Sequence, residues 1–219
     1  MTLRSGRLRF QVQPTDCPAA VTAHAGLPLV IEAFRALGLP QAIREHLHFK
    51  QRVRGYSEVT FIETLVALLA AGGECVDDVR VLHADAGLRR LWGKGTLPAA
   101  ETLRAFLNRF HDARAVAARV EHTAFVPADS AGLEALSAVQ THLLRGLQAR
   151  VAERHATLDV DANVIASEKR TALPVYEGGT GYQPLGVWWA EQAVWVTSQF
   201  RDGNVPAQSG VREIVQQRL

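Results

Sequence analysis

The sequence has few of the features that stabilise small secreted or membrane-embedded proteins. Only two of its 219 residues are cysteines, Cys17 and Cys75, and neither has a CxxC or histidine partner at metal-ligand spacing. It contains no run of about 18 apolar residues, so no membrane-spanning helix is predicted. The basic opening segment lacks the apolar stretch of a secretory signal. We therefore expect a protein of the reducing cytoplasm with no membrane partner.

The sequence also lacks a strong net charge, since basic and acidic residues nearly balance at +2. The charge is nevertheless uneven: residues 1–60 hold eight basic and four acidic side chains, whereas residues 151–219 hold six and eight. A basic front and a mildly acidic back suit a phosphate-binding region ahead of a cation-binding region. Lys50, Arg52 and Arg54 form a basic run that predicts contact with a nucleic-acid backbone, with a solvated loop as the alternative.

Hydrophobic periodicity changes its type near His155. Upstream, apolar residues recur at helical spacing, and downstream they occur in short runs rich in Val and aromatic residues. Helices are predicted at 26–39, 40–49, 57–73, 76–93 with a break near Asp85, 97–115, 133–154 and 209–219, and strands at 156–165, 184–190 and 193–200. The fold class is therefore α+β, an all-α N-terminal region followed by β-β-β-α. We predict a helical domain at 1–130 and a second domain, begun by a linker helix, at 131–219.

The first predicted strand carries two carboxylates, Asp159 and Asp161, inside an apolar run. Side chains two residues apart on a strand point to the same face, so the two like charges would be neighbours. A divalent cation explains such a pair, because Mg²⁺ prefers hard oxygen ligands and keeps several of its waters. A solvated strand face or a strand-end cap is the alternative. The pair is the best candidate for a site.

Three other features are weaker candidates. The glycine-rich segment 177–184 could cradle a phosphate, although a flexible loop explains it better. The helices around 77–110 could form a helix-turn-helix, with Arg104 and Arg109 of the recognition helix facing DNA. The tryptophans of the predicted strands, Trp188, Trp189 and Trp195, are expected in the core rather than as base-stacking platforms.

Several motifs in order make the second half similar to a known family. They are D-x-D-A-[TN] at 159–163, K-x-x-A at 169–172, Y-x-G-x-x-G-Y-x-P-L at 176–185, W-A-E-Q at 189–192 and R-x-G-N at 201–204. This block resembles the start of the catalytic domain of the DDE transposases of bacterial insertion sequences, in the DDE group 1 branch. The helical front half also looks like that family's N-terminal region.

The resemblance implies an RNase H-like fold and Mg²⁺- or Mn²⁺-dependent DNA cleavage followed by strand transfer. It makes Asp161 the first acid of the catalytic triad, with Asp159 as the runner-up, and it does not assign Asp202 to the triad. The implied partners are the terminal inverted repeats of the element and possibly full-length transposase or a second copy of this chain. When bound to DNA, the protein would be associated with the nucleoid.

In the family the second Asp lies on a strand after the R-x-G-N loop and its helix, and the Glu lies further on. This sequence stops at Leu219, within that helix. We therefore expect a truncated transposase that holds one triad acid of three and is inactive alone. A non-catalytic DNA-binding remnant, which binds terminal repeats or inhibits full-length transposase, is the alternative.

Overall fold

The computed structural model describes residues 21–49, 55–120, 123–152 and 154–218. They form two compact units that divide between His111 and Asp112. The first unit is helical and the second combines helices with antiparallel sheets, so the predicted α+β class is confirmed. The predicted domain limit between residues 130 and 131 falls inside the second unit and stays a prediction. No helix in these ranges is long and apolar enough to cross a bilayer.

Capping residues mark several of the helix ends in the first unit. The helices are α1 (Leu27–Ala36), α2 (Leu39–His46), α3 (Glu58–Ala70), α4 (Val79–Ala84), α5 (Ala86–Trp92) and α6 (Ala100–Leu107). Gly38 separates α1 from α2 in a left-handed conformation, with φ of 76°. The Ser57 hydroxyl accepts a hydrogen bond from the Thr60 N–H at the start of α3. The Asp85 carboxylate does the same for Leu88, which explains the predicted break.

The predicted single helix at 97–115 is wrong in its extent. It is divided into α6, a 3₁₀ turn at Asn108–Phe110 and a short helix α7 (Ala113–Ala117). The Asp112 carboxylate accepts a hydrogen bond from the Arg114 N–H at 2.8 Å and so begins α7. Asp competes for backbone N–H groups in this way, which makes it a better helix start than a helix interior residue.

The buried face of α3 organises the first unit. Phe61 stacks on Phe106 of α6, with ring centroids 4.4 Å apart and planes 10° apart. Glu63 on the same helix is only 2% exposed. Its carboxylate lies 2.7 Å from Arg35 Nε and 3.1 Å from Lys94 Nζ, so one buried acid joins α1 to the segment after α5.

The second unit contains two three-stranded antiparallel sheets. The main sheet has the order β1-β5-β6 and the smaller one the order β2-β4-β3. The elements are α8 (Ala131–Gln148), β1 (Leu158–Ala162), β2 (Ile165–Ala166), β3 (Leu173–Pro174), β4 (Thr180–Tyr182), β5 (Leu185–Trp189), β6 (Val194–Gln199) and α9 (Val211–Arg218). The three strands predicted from the sequence are β1, β5 and β6. The smaller sheet was not predicted.

The main sheet buries one face. Leu185, Val187 and Trp189 of β5 form its centre, with Val196 of β6 and Ile214 of α9. Leu158, Val160 and Ala162 of β1 and Leu144 of α8 pack around this cluster. The core therefore lies between the sheet and the two helices α8 and α9.

The expectation that all three tryptophans of these strands are core residues is wrong. Trp189 is 9% exposed and belongs to the core, but Trp195 is 46% exposed. Trp188 and Trp189 are consecutive in one strand, so they must point to opposite faces. Trp188 packs edge-to-face on Trp195, with ring centroids 5.2 Å apart.

Glu63→Gln should lower the free energy of unfolding by about 3 kcal/mol, because Arg35 and Lys94 would lose their shared buried counter-charge. Urea unfolding followed by helical circular dichroism measures the change. Glu101→Gln is the matched control, since that carboxylate is 85% exposed in its ion pair and should cost less than about 1 kcal/mol. Equal losses in the two variants would contradict a structural role for the buried acid.

Candidate metal centre and nucleic-acid surface

The two aspartates of β1 lie on the exposed face of the main sheet. Asp159 and Asp161 are exposed, and the alternating residues of the strand are half-buried against the core. In the antiparallel ladder Asp159 is opposite Trp188, and Asp161 is opposite Gly186. The strand therefore has one polar and one apolar face, as its sequence predicted.

The chemistry of this pair fits a divalent cation. Neither carboxylate makes a hydrogen bond or ion pair with another described residue, so their oxygens are available as ligands. Positions two apart on a strand are separated by about 6.6 Å, which flexible carboxylates can bridge through one ion. Within the described ranges there is no group of three or more His, Cys, Asp or Glu that could hold a metal. The pair therefore offers two ligands of a six-coordinate site, and water would supply the others.

Tyr176 lies within electrostatic reach of Asp161. Tyr176 Oη donates a 2.8 Å hydrogen bond to Glu177 Oε1. This bond and the Glu177 charge raise the pKa of Tyr176, and the Asp161 charge adds a smaller contribution. No sequence pattern indicated that Tyr176 lies near the pair. Its position directly before the glycine-rich segment was the only signal, since its approach to Asp161 depends on the fold.

The glycine-rich segment contains the turn between β3 and β4 and the whole of β4. Gly178 and Gly179 have φ of 94° and 80°, a region that favours glycine. Gly181 lies against the backbone of β2, where a Cβ would meet the Ile165 carbonyl group. These glycines are therefore explained by the hairpin and by close strand packing, without a bound phosphate.

Asp202 is a buried structural residue. It is 2% exposed, and its Oδ1 accepts a hydrogen bond from Arg119. Arg119 also donates to the Thr171 carbonyl group at 2.8 Å, and the Asp202 N–H donates to the Phe125 carbonyl group at 3.2 Å. Its neighbour Arg201 is also buried, and burial lowers the pKa of its guanidinium. Asp202 thus ties the loop after β6 to the segments that surround it.

Glu191, in the turn between β5 and β6, secures the start of β1. Its two carboxylate oxygens lie 2.9 and 3.1 Å from the Thr157 backbone N. Hydrogen bonds from Thr157, from its side chain and then from its backbone, lower the pKa of Glu191. The acid of the W-A-E-Q motif therefore holds the strand that carries the two aspartates.

The basic residues predicted to contact DNA differ in whether acidic side chains already pair with them. Arg104 forms ion pairs with Asp77 and Glu101, so its charge is already compensated. Arg109 is exposed on the turn after α6, and no described residue forms an ion pair with it. The other three, Lys50, Arg52 and Arg54, lie outside the described residues. Of the two described candidates, Arg109 is thus the better placed for contact with a phosphate.

Comparison with known proteins adds one finding. The family model described as "Transposase DDE domain group 1" matches residues 11–219. No curated protein and no solved structure matches the chain. The match includes the whole second unit, and with it both aspartates of β1.

Glu191→Gln should destabilise the chain at neutral pH and have progressively less effect as the pH falls below the ordinary glutamate pKa of 4.5. A carboxyl group whose pKa is lowered by folding stabilises the protein above its unfolded pKa, and protonation removes that contribution. Urea midpoints at pH 7 and pH 3 measure the difference between variant and wild type. Glu168→Gln, which alters an exposed carboxylate after β2, should show no such difference. A pH-independent effect of Glu191→Gln would contradict the assignment.

Proposed function

This chain belongs to the DDE transposase family, in its group 1, and we propose that its second unit carries the first metal-binding acids of a DNA strand-transfer centre. The observation that carries this proposal is the pair Asp159 and Asp161, two unpaired carboxylates on the exposed face of β1. The residues that alternate with them, Leu158, Val160 and Ala162, pack against the core. The core of the unit therefore does not include the two aspartates.

We assign Asp161 as the first acid of the triad and keep Asp159 as the runner-up. Asp161 is the member of the pair whose charge reaches Tyr176. It is also opposite Gly186, where the facing residue has no side chain, whereas Asp159 is opposite Trp188. The Trp195 indole lies over Gly186, so Asp161 is the member of the pair that has both Tyr176 and an aromatic ring nearby.

Mg²⁺ or Mn²⁺ is the proposed cofactor. When bound, such a metal acts as a Lewis acid that activates a water or a 3′-hydroxyl group and stabilises the leaving oxygen of the phosphodiester. The chain itself would contribute the oxygens of Asp161 and Asp159, held on a strand whose register is fixed by β5. Two acids do not provide the ligands of a two-metal centre, so we propose that strand transfer requires further carboxylates and that this 219-residue chain alone is inactive.

A second candidate function is DNA binding by the first unit, with the terminal inverted repeats of an element as the proposed target. The observation that favours it is the exposed cation Arg109 directly after α6, the helix proposed for recognition. Such a chain could occupy element ends, or pair with full-length transposase, without cleaving DNA.

Asp161→Asn should weaken Mn²⁺ binding by more than about tenfold, since even residues that only orient metal ligands affect affinity by about 10- to 100-fold. Asp159→Asn should have a smaller effect. Isothermal titration calorimetry with Mn²⁺ and with Mg²⁺ measures both. Glu168→Gln is the matched control because it removes an exposed carboxylate elsewhere in the second unit. Wild-type affinity in Asp161→Asn would contradict the assignment of the metal ligand.

Arg109→Ala should weaken binding to terminal-repeat DNA by up to about tenfold and should reduce its salt dependence, because one phosphate contact is lost. Arg104→Ala should have less effect, since two acids already compensate that charge. Gel shifts at several salt concentrations measure the DNA affinity of each variant and its salt dependence. If Arg104→Ala is the more damaging variant, the ion pairs must open on DNA and the proposed order is wrong.

A further inference from the structure

Two tryptophans share the exposed sheet face with the two aspartates. Trp188 is opposite Asp159 on the neighbouring strand, and Trp195 is opposite Trp188 on the next strand. Their rings meet edge-to-face at 76°, and Trp195 is 46% exposed. A large apolar surface thus lies beside unpaired carboxylates.

Gly186 determines where the Trp195 indole lies. A Cβ at this position would be 2.8 Å from Trp195 Cη2 and 3.1 Å from Cε3, so the ring occupies the space that any side chain would need. Gly186 is the residue opposite Asp161. The indole therefore lies across the strand next to Asp161, with one side against β5 and its exposed surface toward solvent.

A protein segment is a poor occupant for this face. An apolar helix or strand that covered Trp195 would also bury Asp159 and Asp161 without partners, which is strongly unfavourable. A nucleotide matches both kinds of surface. Its phosphate oxygens share a metal ion with carboxylates, and its flat base stacks on an aromatic ring. Trp195 is two strands from β1, but its indole lies over Gly186, the residue that faces Asp161. Facing positions on neighbouring strands are about 5 Å apart, within the reach of one nucleotide.

We propose that Trp195, supported by Trp188, is a stacking platform for an unpaired nucleobase next to the phosphate that Asp161 engages. The proposal rests on the proposed function, since it takes the ligand to be DNA held at the aspartates. A base inside a duplex is stacked on both sides, so the platform selects a base that has left its pair. Stacking tolerates any base, so no sequence preference is expected.

The test uses the full chain, the oligonucleotide dT12 and a 12-base-pair duplex as probes. Binding is followed by the anisotropy of labelled DNA and by tryptophan fluorescence, with Mg²⁺ present. In the wild type dT12 should quench fluorescence. Trp195→Ala should weaken dT12 binding by about 5- to 100-fold, which corresponds to one stacked base, and should leave duplex binding within twofold.

Two further variants make the result independent of any folding defect. Trp195→Phe keeps a stacking ring but not the indole, so it should bind dT12 within a few-fold of wild type and lose most of the quenching. Phe200→Ala is the matched control, because Phe200 is 48% exposed in the same unit but packs on Tyr182. It should leave affinity and quenching unchanged. The stacking role of Trp195 would be contradicted if dT12 quenched the tryptophan fluorescence of Trp195→Phe fully, or if Trp195→Ala bound dT12 with wild-type affinity.

The same measurements separate this proposal from the metal site. If Asp161→Asn loses Mn²⁺ binding but Trp195→Ala binds dT12 normally, the platform is wrong and the metal site stands. If Asp161→Asn binds Mn²⁺ normally but Trp195→Ala loses dT12 binding, Trp195 stacks a base, but the metal assignment and the placement of the phosphate at Asp161 are wrong. If dT12 does not quench the wild type and iodide cannot reach Trp195, another segment or copy of the chain covers the face and the proposal is overturned.

Discussion

The pairing of β5 with both β1 and β6 is the constraint on which the second unit depends. Because side chains alternate along each strand, the ladder that places Val160 opposite Val187 also places Asp161 opposite Gly186. A register slip of one residue would bury both aspartates and expose the core residues of β1. Burial of the apolar face against α8 and α9 therefore holds the two carboxylates on the opposite face. They stay there although no described residue forms a hydrogen bond or ion pair with them.

Most of the motif residues whose contacts are described above stabilise the fold of the second unit. Glu191 secures the first residue of β1, Asp202 joins two loops through Arg119, and Gly181 allows two strands to approach closely. Of the motif acids that the resemblance brings together, only Asp159 and Asp161 are exposed and lack a partner among the described residues. This contrast separates candidate ligands from scaffold residues in a way that motif matching alone does not.

The sequence was informative where a pattern is local. Short runs rich in Val and aromatic residues predicted the three strands of the main sheet, and the two-residue period predicted the shared face of the aspartates. The predicted helix break near Asp85 coincides with the cap that this residue forms on Leu88. The smaller sheet was missed because its strands have only two or three residues, too few to show a period. Contacts such as Arg119 with Asp202 join residues 83 positions apart, and no local pattern encodes them. The opposite faces of Trp188 and Trp189, however, follow from their adjacency in one strand, so it was predictable that the two could not both be core residues.

Within the described residues β1 pairs on one side only, with β5. The other edge of an apolar, Val-containing strand offers free N–H and C=O groups, which favours pairing with a second strand. The two aspartates disfavour one such pairing, that of β1 with β1 of a second copy of the chain. If two copies of β1 paired antiparallel, their same-face carboxylates would be brought close together, and like charges in facing positions are destabilising. A divalent cation would reduce that repulsion, so the chemistry that suits the pair for metal binding also makes edge pairing depend on the metal.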